Sequence, residues 1–130
     1  MTPESDALLR KSRRSLEAGR LLLSKGFLED VASGAYYAML YAAKAMLLNS
    51  GQKATQHKHV TRKFQELFIA TGKVEPKFYE SLEGSLKRRH FADYETDLTF
   101  AISNEEAEAS LKEAAAFLAM AEQFLGEENP

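Results

Sequence analysis

The sequence contains no cysteine among its 130 residues, and it has only three prolines and seven glycines. The lack of cysteine excludes disulfides, thiolate metal sites and thiol nucleophiles, and it fits a reducing compartment. No apolar run approaches the roughly 20 residues that a membrane span needs, and the first 14 residues are polar and charged. We therefore predict a soluble cytoplasmic protein that makes no use of a membrane.

Several common catalytic motifs are also missing from the chain. There is no P-loop, dinucleotide fingerprint, zinc ligand set or Ser-His-Asp order. We therefore predict no cofactor and no metal, so any ATP or NAD chemistry would have to come from a partner. His57 and His59 resemble a metal-ligand pair, but alternate residues on a helix diverge by about 200°. A capping or surface role is the simpler interpretation, and His57 is also a candidate nucleotide or RNA contact.

Charge is distributed unevenly along a chain whose net charge is only −2. Residues 101–130 carry seven Glu against Lys112 alone, a net −6, whereas residues 1–100 carry a net +4. The basic residues of the first part form clusters at Arg10–Arg14, Lys58–Lys63 and Lys87–Arg89. These clusters could form a surface that attracts phosphates, or they could be ordinary solvated helix faces.

The abundance of Ala and Leu is typical of a helical bundle. We predict an all-α, up-and-down bundle of four to five helices within one domain, residues 1–126, followed by a disordered tail at 127–130. Three predicted helices run from a Thr2 cap to Lys25, from about Glu29 to Asn49 and from roughly His57 to Ala70. A fourth begins at Pro76, and the last begins at a capping box at Ser103. The second is apolar on nearly every face, which places it at the bundle centre or in a subunit interface. A turn or frayed segment is expected over 93–102.

An arginine stands within an apolar stripe of the fourth predicted helix. The stripe is formed by Phe78, Leu82, Leu86, Arg89 and Asp93, at spacings of 4, 4, 3 and 4 residues. A guanidinium keeps its charge and is costly to bury alone, so Arg89 needs a carboxylate, an anionic ligand or a partner surface. Asp93, one turn further on, is the predicted partner.

Three segments together resemble a known family. They are the stretch around Tyr36-Tyr37-Ala38-Met39, the His57-Lys58-His59-Val60 stretch after a glycine-containing loop, and Arg89-His90-Phe91-Ala92-Asp93-Tyr94. In this order and spacing they resemble the HEPN domain, specifically its small stand-alone prokaryotic members, over Leu8 to Leu125. The resemblance implies a helical bundle that forms a homodimer. It also implies a frequent partner, a minimal nucleotidyltransferase, in pairs that resemble toxin and antitoxin.

Active relatives, by the same resemblance, are metal-independent ribonucleases that use an Arg followed by a His. Here Tyr94 occupies the position of that His, and a tyrosine with a pKa near 10 is a poor general base at pH 7. His90 does not replace it, because the neighbour of Arg89 points about 100° away around the helix. One hypothesis is a module that binds a nucleotide, RNA or a nucleotidyltransferase. The alternative is a ribonuclease toxin with a divergent motif.

The candidate residues follow from these two hypotheses. Arg89, Asp93 and Tyr94 form the possible catalytic group, and Arg88 is a further candidate contact to a nucleotide or RNA. Tyr37 and Tyr41 lie one turn apart, which suits either close helix packing or stacking on a base. Tyr94 could also accept a nucleotidyl group from a partner enzyme.

Overall fold

A computed structural model describes residues 2–53, 57–96 and 102–128, without the side chains at positions 57, 58 and 128. Within these ranges the chain forms five α-helices and no strand, which confirms the predicted all-α bundle. The helices are α1 (Pro3–Ser24), α2 (Leu28–Asn49), α3 (His57–Phe64), α4 (Pro76–Tyr94) and α5 (Asn104–Glu128). A π-helical turn, Gln65–Ile69, continues directly from α3.

Local sequence signals set the starts of two helices. The Thr2 hydroxyl accepts a hydrogen bond from the Ser5 backbone N–H at 3.0 Å, which caps α1. The Ser103 hydroxyl accepts one from the Glu106 backbone N–H at 3.1 Å, which caps α5. Both predicted caps are confirmed, because each side chain satisfies an amide that the helix itself leaves unpaired.

Two predicted segments end differently in the structure, and one predicted helix changes its type. Helix α4 continues through Tyr94, so no frayed segment begins at Asp93, and side-chain pairs one turn apart extend the helix instead. Residues 97–101 of that predicted segment lie outside the described residues. Helix α5 continues to Glu128, so residues 127 and 128 are not a disordered tail, and positions 129 and 130 are also outside. The helix predicted over residues 57–70 changes to π-helical hydrogen bonding after Phe64.

Helices α1 and α2 pack antiparallel over their whole length. The Ser5 hydroxyl donates to the Ala45 carbonyl oxygen at 3.3 Å, and the Ser12 hydroxyl donates to the Ala38 carbonyl oxygen at 2.6 Å. Residues later in α1 therefore contact residues earlier in α2, as expected for antiparallel helices. Buried hydroxyls are satisfied in this way by backbone carbonyls, and the two helices stay close together.

Helix α2 occupies the centre of the bundle, as its apolar composition predicts. Twelve of its residues are buried, and it packs against α1, α3, α4 and α5. The seam predicted along α5 is confirmed, because all of its members are buried: Ala107, Leu111, Ala114, Leu118, Ala121 and Leu125. No helix in the described part of the chain is both long and apolar enough to cross a bilayer.

Aromatic rings attach the start of α4 to the rest of the bundle. The ring of Phe117 on α5 lies 5.3 Å from that of Phe64 and 6.0 Å from that of Phe78, measured between ring centres. Further along α4 only Leu82 and Ser85 are buried. The second half of α4 is therefore less buried than α2, and it carries several of the candidate residues.

Candidate functional site

Arg89 lies where the second half of α4 crosses α2. Its side chain is 26% exposed, and its guanidinium carbon lies 5.5 Å from the ring centre of Tyr36 and 5.1 Å from that of Tyr37. A cation above an aromatic face is attracted by the electrons of the ring, more strongly where water is partly excluded. Arg89 of α4 therefore lies on two tyrosine rings of α2, Tyr36 and Tyr37, which we call the aromatic floor.

Asp93 supplies the carboxylate that the sequence predicts for Arg89. Its Oδ2 atom lies 3.6 Å from Arg89 Nε, so the two groups form an ion pair. The Nε atom is nevertheless buried, and the described residues give it no hydrogen-bond partner. Asp93 thus balances part of the charge. The buried Nε is closed to an external ligand, and only the exposed part of the guanidinium can meet one.

Tyr36 is the component of this site that the sequence candidates omit. It is fully buried, and burial raises its pKa to about 12, although attraction to Arg89 opposes the shift and Tyr37 adds to it. Tyr36 is therefore neutral at pH 7, and it gives Arg89 a ring face without a counter-charge. Two features of the sequence are consistent with a role for Tyr36. An arginine on an apolar stripe needs a partner surface, and two consecutive tyrosines occur on α2.

The aromatic floor continues along α2 towards α1. The rings of Tyr37 and Tyr41 stack with centres 5.9 Å apart and planes 30° apart. Beyond them, Lys11 Nζ lies 5.6 Å from the ring centre of Tyr41. The structure thus brings Arg89, Asp93, Tyr37 and Tyr41 together as candidates, and adds a lysine from α1.

Arg88 has a different environment from its neighbour. Its Nη2 atom lies 2.6 Å from Glu113 Oε2 on α5, in an ion pair that is about one-third exposed. Gly84 leaves room for this side chain, because a Cβ atom there would lie 3.3 Å from Arg88 Nη1. The structure therefore directs Arg88 to α5, away from the aromatic floor beneath Arg89.

Tyr94 and His57 are the two remaining candidates. Tyr94 is 73% exposed, and its ring contacts that of His90 at 5.1 Å between centres. His57 begins α3, but its side chain lies outside the described part of the structure. Tyr94 therefore faces the solvent near the end of α4.

Comparison with known families identifies the fold. The family model of the HEPN domain matches residues 5–124. The chain belongs to the HEPN domain family.

A Methanocaldococcus jannaschii protein named "Putative toxin MJ0142" is 32% identical over 126 residues, which cover 97% of this chain and 84% of that protein. From the same organism, "Putative toxin MJ0605" is 31% identical over 115 residues, 88% of this chain and 84% of the relative. "UPF0332 protein glr0978" of Gloeobacter violaceus is 28% identical over 127 residues, 98% of this chain and all of the relative.

This HEPN domain also has a cavity that lies outside the arginine site. A surface cavity of about 450 Å³ opens between the start of α4 and the second half of α5, and its lining includes Val74, Phe78 and Phe124 but none of the candidate residues. The described side chains contain no group of three or more His, Asp or Glu residues that could hold a metal ion.

Proposed function

We propose that this HEPN domain is a toxin-type protein whose Arg89 binds a phosphate group of RNA or of a nucleotide without a metal ion. The observation behind this proposal is a guanidinium that lies over Tyr36 and Tyr37 on a side chain that stays 26% exposed, so an external phosphate can reach it. Arginine suits phosphate because its planar donors can make two charge-assisted hydrogen bonds at once. The toxin names of two archaeal relatives support the biological setting.

Binding is better supported than cleavage. Hydrolysis of RNA needs a group that accepts and returns protons near pH 7. The described contacts of Arg89 come from the Asp93 carboxylate and from two tyrosine rings, and the pKa of Tyr36 is raised to about 12. His90 instead contacts the exposed ring of Tyr94. A metal-independent ribonuclease with a divergent motif is the second candidate function.

The binding proposal is tested by titrating fluorescently labelled RNA with purified wild-type protein and with Arg89→Ala. Arg20→Ala is the control, since Arg20 is an exposed arginine of α1 that lies outside the three basic clusters. We expect Arg89→Ala to weaken binding at least tenfold, which corresponds to the loss of one charge-assisted contact. Arg20→Ala should bind nearly as wild type does. Equal affinity of Arg89→Ala and wild type would contradict the proposal.

Cleavage is tested separately, by incubating the protein with labelled RNA in EDTA. Fragments that appear with wild type and disappear with Arg89→Ala would establish the ribonuclease. Intact RNA together with Arg89-dependent binding supports the binding module. Fragments that persist with Arg89→Ala would come from a contaminating nuclease. Growth of a bacterial host during induced expression adds the toxin readout, because relief of growth arrest by Arg89→Ala at equal protein level ties toxicity to the site.

The partners belong to the same proposal. Phe91, near the end of α4, is 39% exposed. An exposed aromatic residue suits a protein interface, and a second copy of the chain is the proposed occupant. Light scattering of purified protein should give the mass of two chains, and Phe91→Asp should give one. A wild-type mass of one chain would rule out the dimer.

Tyr94 is also the proposed acceptor for a partner nucleotidyltransferase, since its exposure leaves the phenol accessible. In this step the phenol oxygen attacks the α-phosphorus of a nucleoside triphosphate, pyrophosphate leaves, and the phenol proton passes to a base of the partner enzyme. Mass spectrometry after co-expression with such an enzyme should show an added nucleotidyl mass on Tyr94 and none on Tyr94→Phe. Unmodified Tyr94 would exclude this step.

A further inference from the structure

A strip of alternating character runs across three helices of the protein. It consists of Arg89 on α4, Tyr37 and Tyr41 on α2, and Lys11 on α1, and we call it the cation–tyrosine strip. Successive members are separated by 5.1, 5.9 and 5.6 Å, measured from the guanidinium carbon, the ring centres and Lys11 Nζ. We infer that this strip binds a single-stranded oligonucleotide, with one phosphate on Arg89, a second on Lys11 and a base against the tyrosines between them. The inference rests on the proposed function and extends it.

Lys11 is suited to an external anion because it has no carboxylate partner among the described residues, whereas Arg10 and Arg13 of the same basic cluster each have one. Arg10 forms an ion pair with Asp6 at 3.1 Å, and Arg13 lies 3.6 Å from Glu122. Lys11 is exposed, and its ammonium group lies over the ring of Tyr41, with no ion pair among the described residues. Its ammonium group therefore adds positive charge at the end of the strip opposite Arg89.

The order of groups along the strip favours an oligonucleotide over a mononucleotide. Its two cations come from different helices, and the contacts run from Arg89 through both tyrosine rings to Lys11. Proteins that bind single strands combine such backbone-tracking cations with aromatic rings on which bases stack. Bases within a duplex are already stacked on each other, so the tyrosines select a single strand. A nucleoside monophosphate has one phosphate for the two cations, whereas an oligonucleotide offers one phosphate to each.

The experiment compares a mononucleotide, a tetranucleotide and an octanucleotide of RNA, each labelled and titrated by fluorescence anisotropy at several salt concentrations. The variants are wild type, Lys11→Ala, Arg89→Ala and the matched control Lys77→Ala. Lys77 Nζ also lies over an aromatic ring, that of Phe78 at 5.2 Å, but at the opposite end of α4. Circular dichroism verifies that each variant is folded, and DNA of the same lengths distinguishes the two kinds of strand.

We expect wild type to bind the octanucleotide at least tenfold more tightly than the mononucleotide. Lys11→Ala should remove most of that gain and lower the slope of log affinity against log salt by about 0.7, the value for one phosphate contact on a single strand. Lys77→Ala should change neither quantity. Affinity that depends on Arg89 but not on length or Lys11 would overturn the strip and leave the proposed function standing. Affinity that is unchanged in Arg89→Ala would overturn both.

Discussion

Helix α2 makes two very different contacts, one with α1 and one with the second half of α4. Against α1 it presents backbone and small residues: a Cβ atom on Gly34 would lie 3.3 Å from the Cα atom of Gly19 and 3.2 Å from the carbonyl oxygen of Ser15. Against α4 it presents two tyrosine rings to Arg89, whose side chain stays partly exposed. The first contact leaves no space for an added atom, and the second leaves a charged donor available.

This difference separates stability from binding within one helix. The α1–α2 contact depends on close packing, which stabilises the bundle and tolerates little change. The α4–α2 contact holds a charge that an apolar side chain of similar size could replace with little loss of stability. A partly exposed cation that lies on aromatic rings is suited to ligand binding, because an anion can add charge-assisted hydrogen bonds to it.

The largest expected effect comes from placing a charge in the α1–α2 contact. Ala38 is fully buried, and its carbonyl oxygen accepts the hydrogen bond from Ser12. Ala38→Arg should destabilise the fold by more than about 4 kcal/mol, since the site has neither room nor a partner for a guanidinium. Thermal unfolding followed by circular dichroism measures this. Ala18→Arg, at an exposed position of α1, is the matched control and should melt as wild type does. Identical melting of both variants would show that α2 is not central.

A smaller change tests the same contact with a single methyl group. Gly34→Ala should destabilise the protein by about 1–3 kcal/mol, because the added carbon meets backbone atoms of α1 that cannot move aside. Gly126→Ala on α5 meets nothing within 4 Å, and it should stabilise by up to about 1 kcal/mol through helix propensity. Denaturant titrations of the two variants should therefore shift in opposite directions. A shift in the same direction would contradict the close crossing.

The α4–α2 contact should respond to substitution in function more than in stability. Arg89→Leu keeps an apolar contact with Tyr36 and Tyr37, and the Asp93 carboxylate that it leaves behind is well exposed. We expect the free energy of unfolding to change by less than about 1 kcal/mol, while RNA binding is lost. Chemical denaturation and anisotropy titrations on the same preparation compare the two. A large loss of stability would make Arg89 a structural residue.

The smallest effect concerns the proton of Tyr36. Its pKa is raised from 10.0 to about 12 in the folded protein, so the fold favours the neutral phenol. This contribution to stability is present below pH 10 and is lost as the pH rises through about 12. Near-ultraviolet absorbance should show a late-ionising tyrosine that is missing in Tyr36→Phe, whereas Tyr79, whose pKa is raised by its hydrogen bond with Glu83, should be unaffected by that substitution. Arg89→Leu should raise this pKa further, because the attraction of Arg89 lowers it. Ionisation of all tyrosines together near pH 10 would contradict the buried position.

Helix positions and inner faces were predictable because their signals are local. The caps at Thr2 and Ser103 and the α5 seam follow from neighbouring residues, and the structure confirms them. The errors fall at helix ends, where i,i+4 contacts such as His90 with Tyr94 continue a helix that lacks apolar periodicity. The π-helical turn was not predictable, since one extra residue in a turn leaves no composition signal.

The candidate site was predictable only in part. Arg89 and Asp93 are four residues apart on one helix, so their pairing follows from helix geometry. Tyr36 could not be distinguished from other core aromatics until α4 was placed on α2. The partner of Arg88, Glu113, lies 25 residues away on α5. No spacing rule connects residues so far apart in the chain.

By itself, the sequence determined an all-helical chain with a central α2, defined caps and an arginine on an inward face. These features depend on the 3.6-residue period and on side chains within one turn of each other. Only the tertiary structure decided that two tyrosines lie under Arg89, that Arg88 pairs with α5, and that Lys11 meets Tyr41. Those contacts depend on the crossing and register of packed helices, which arise from the fit of whole side-chain surfaces.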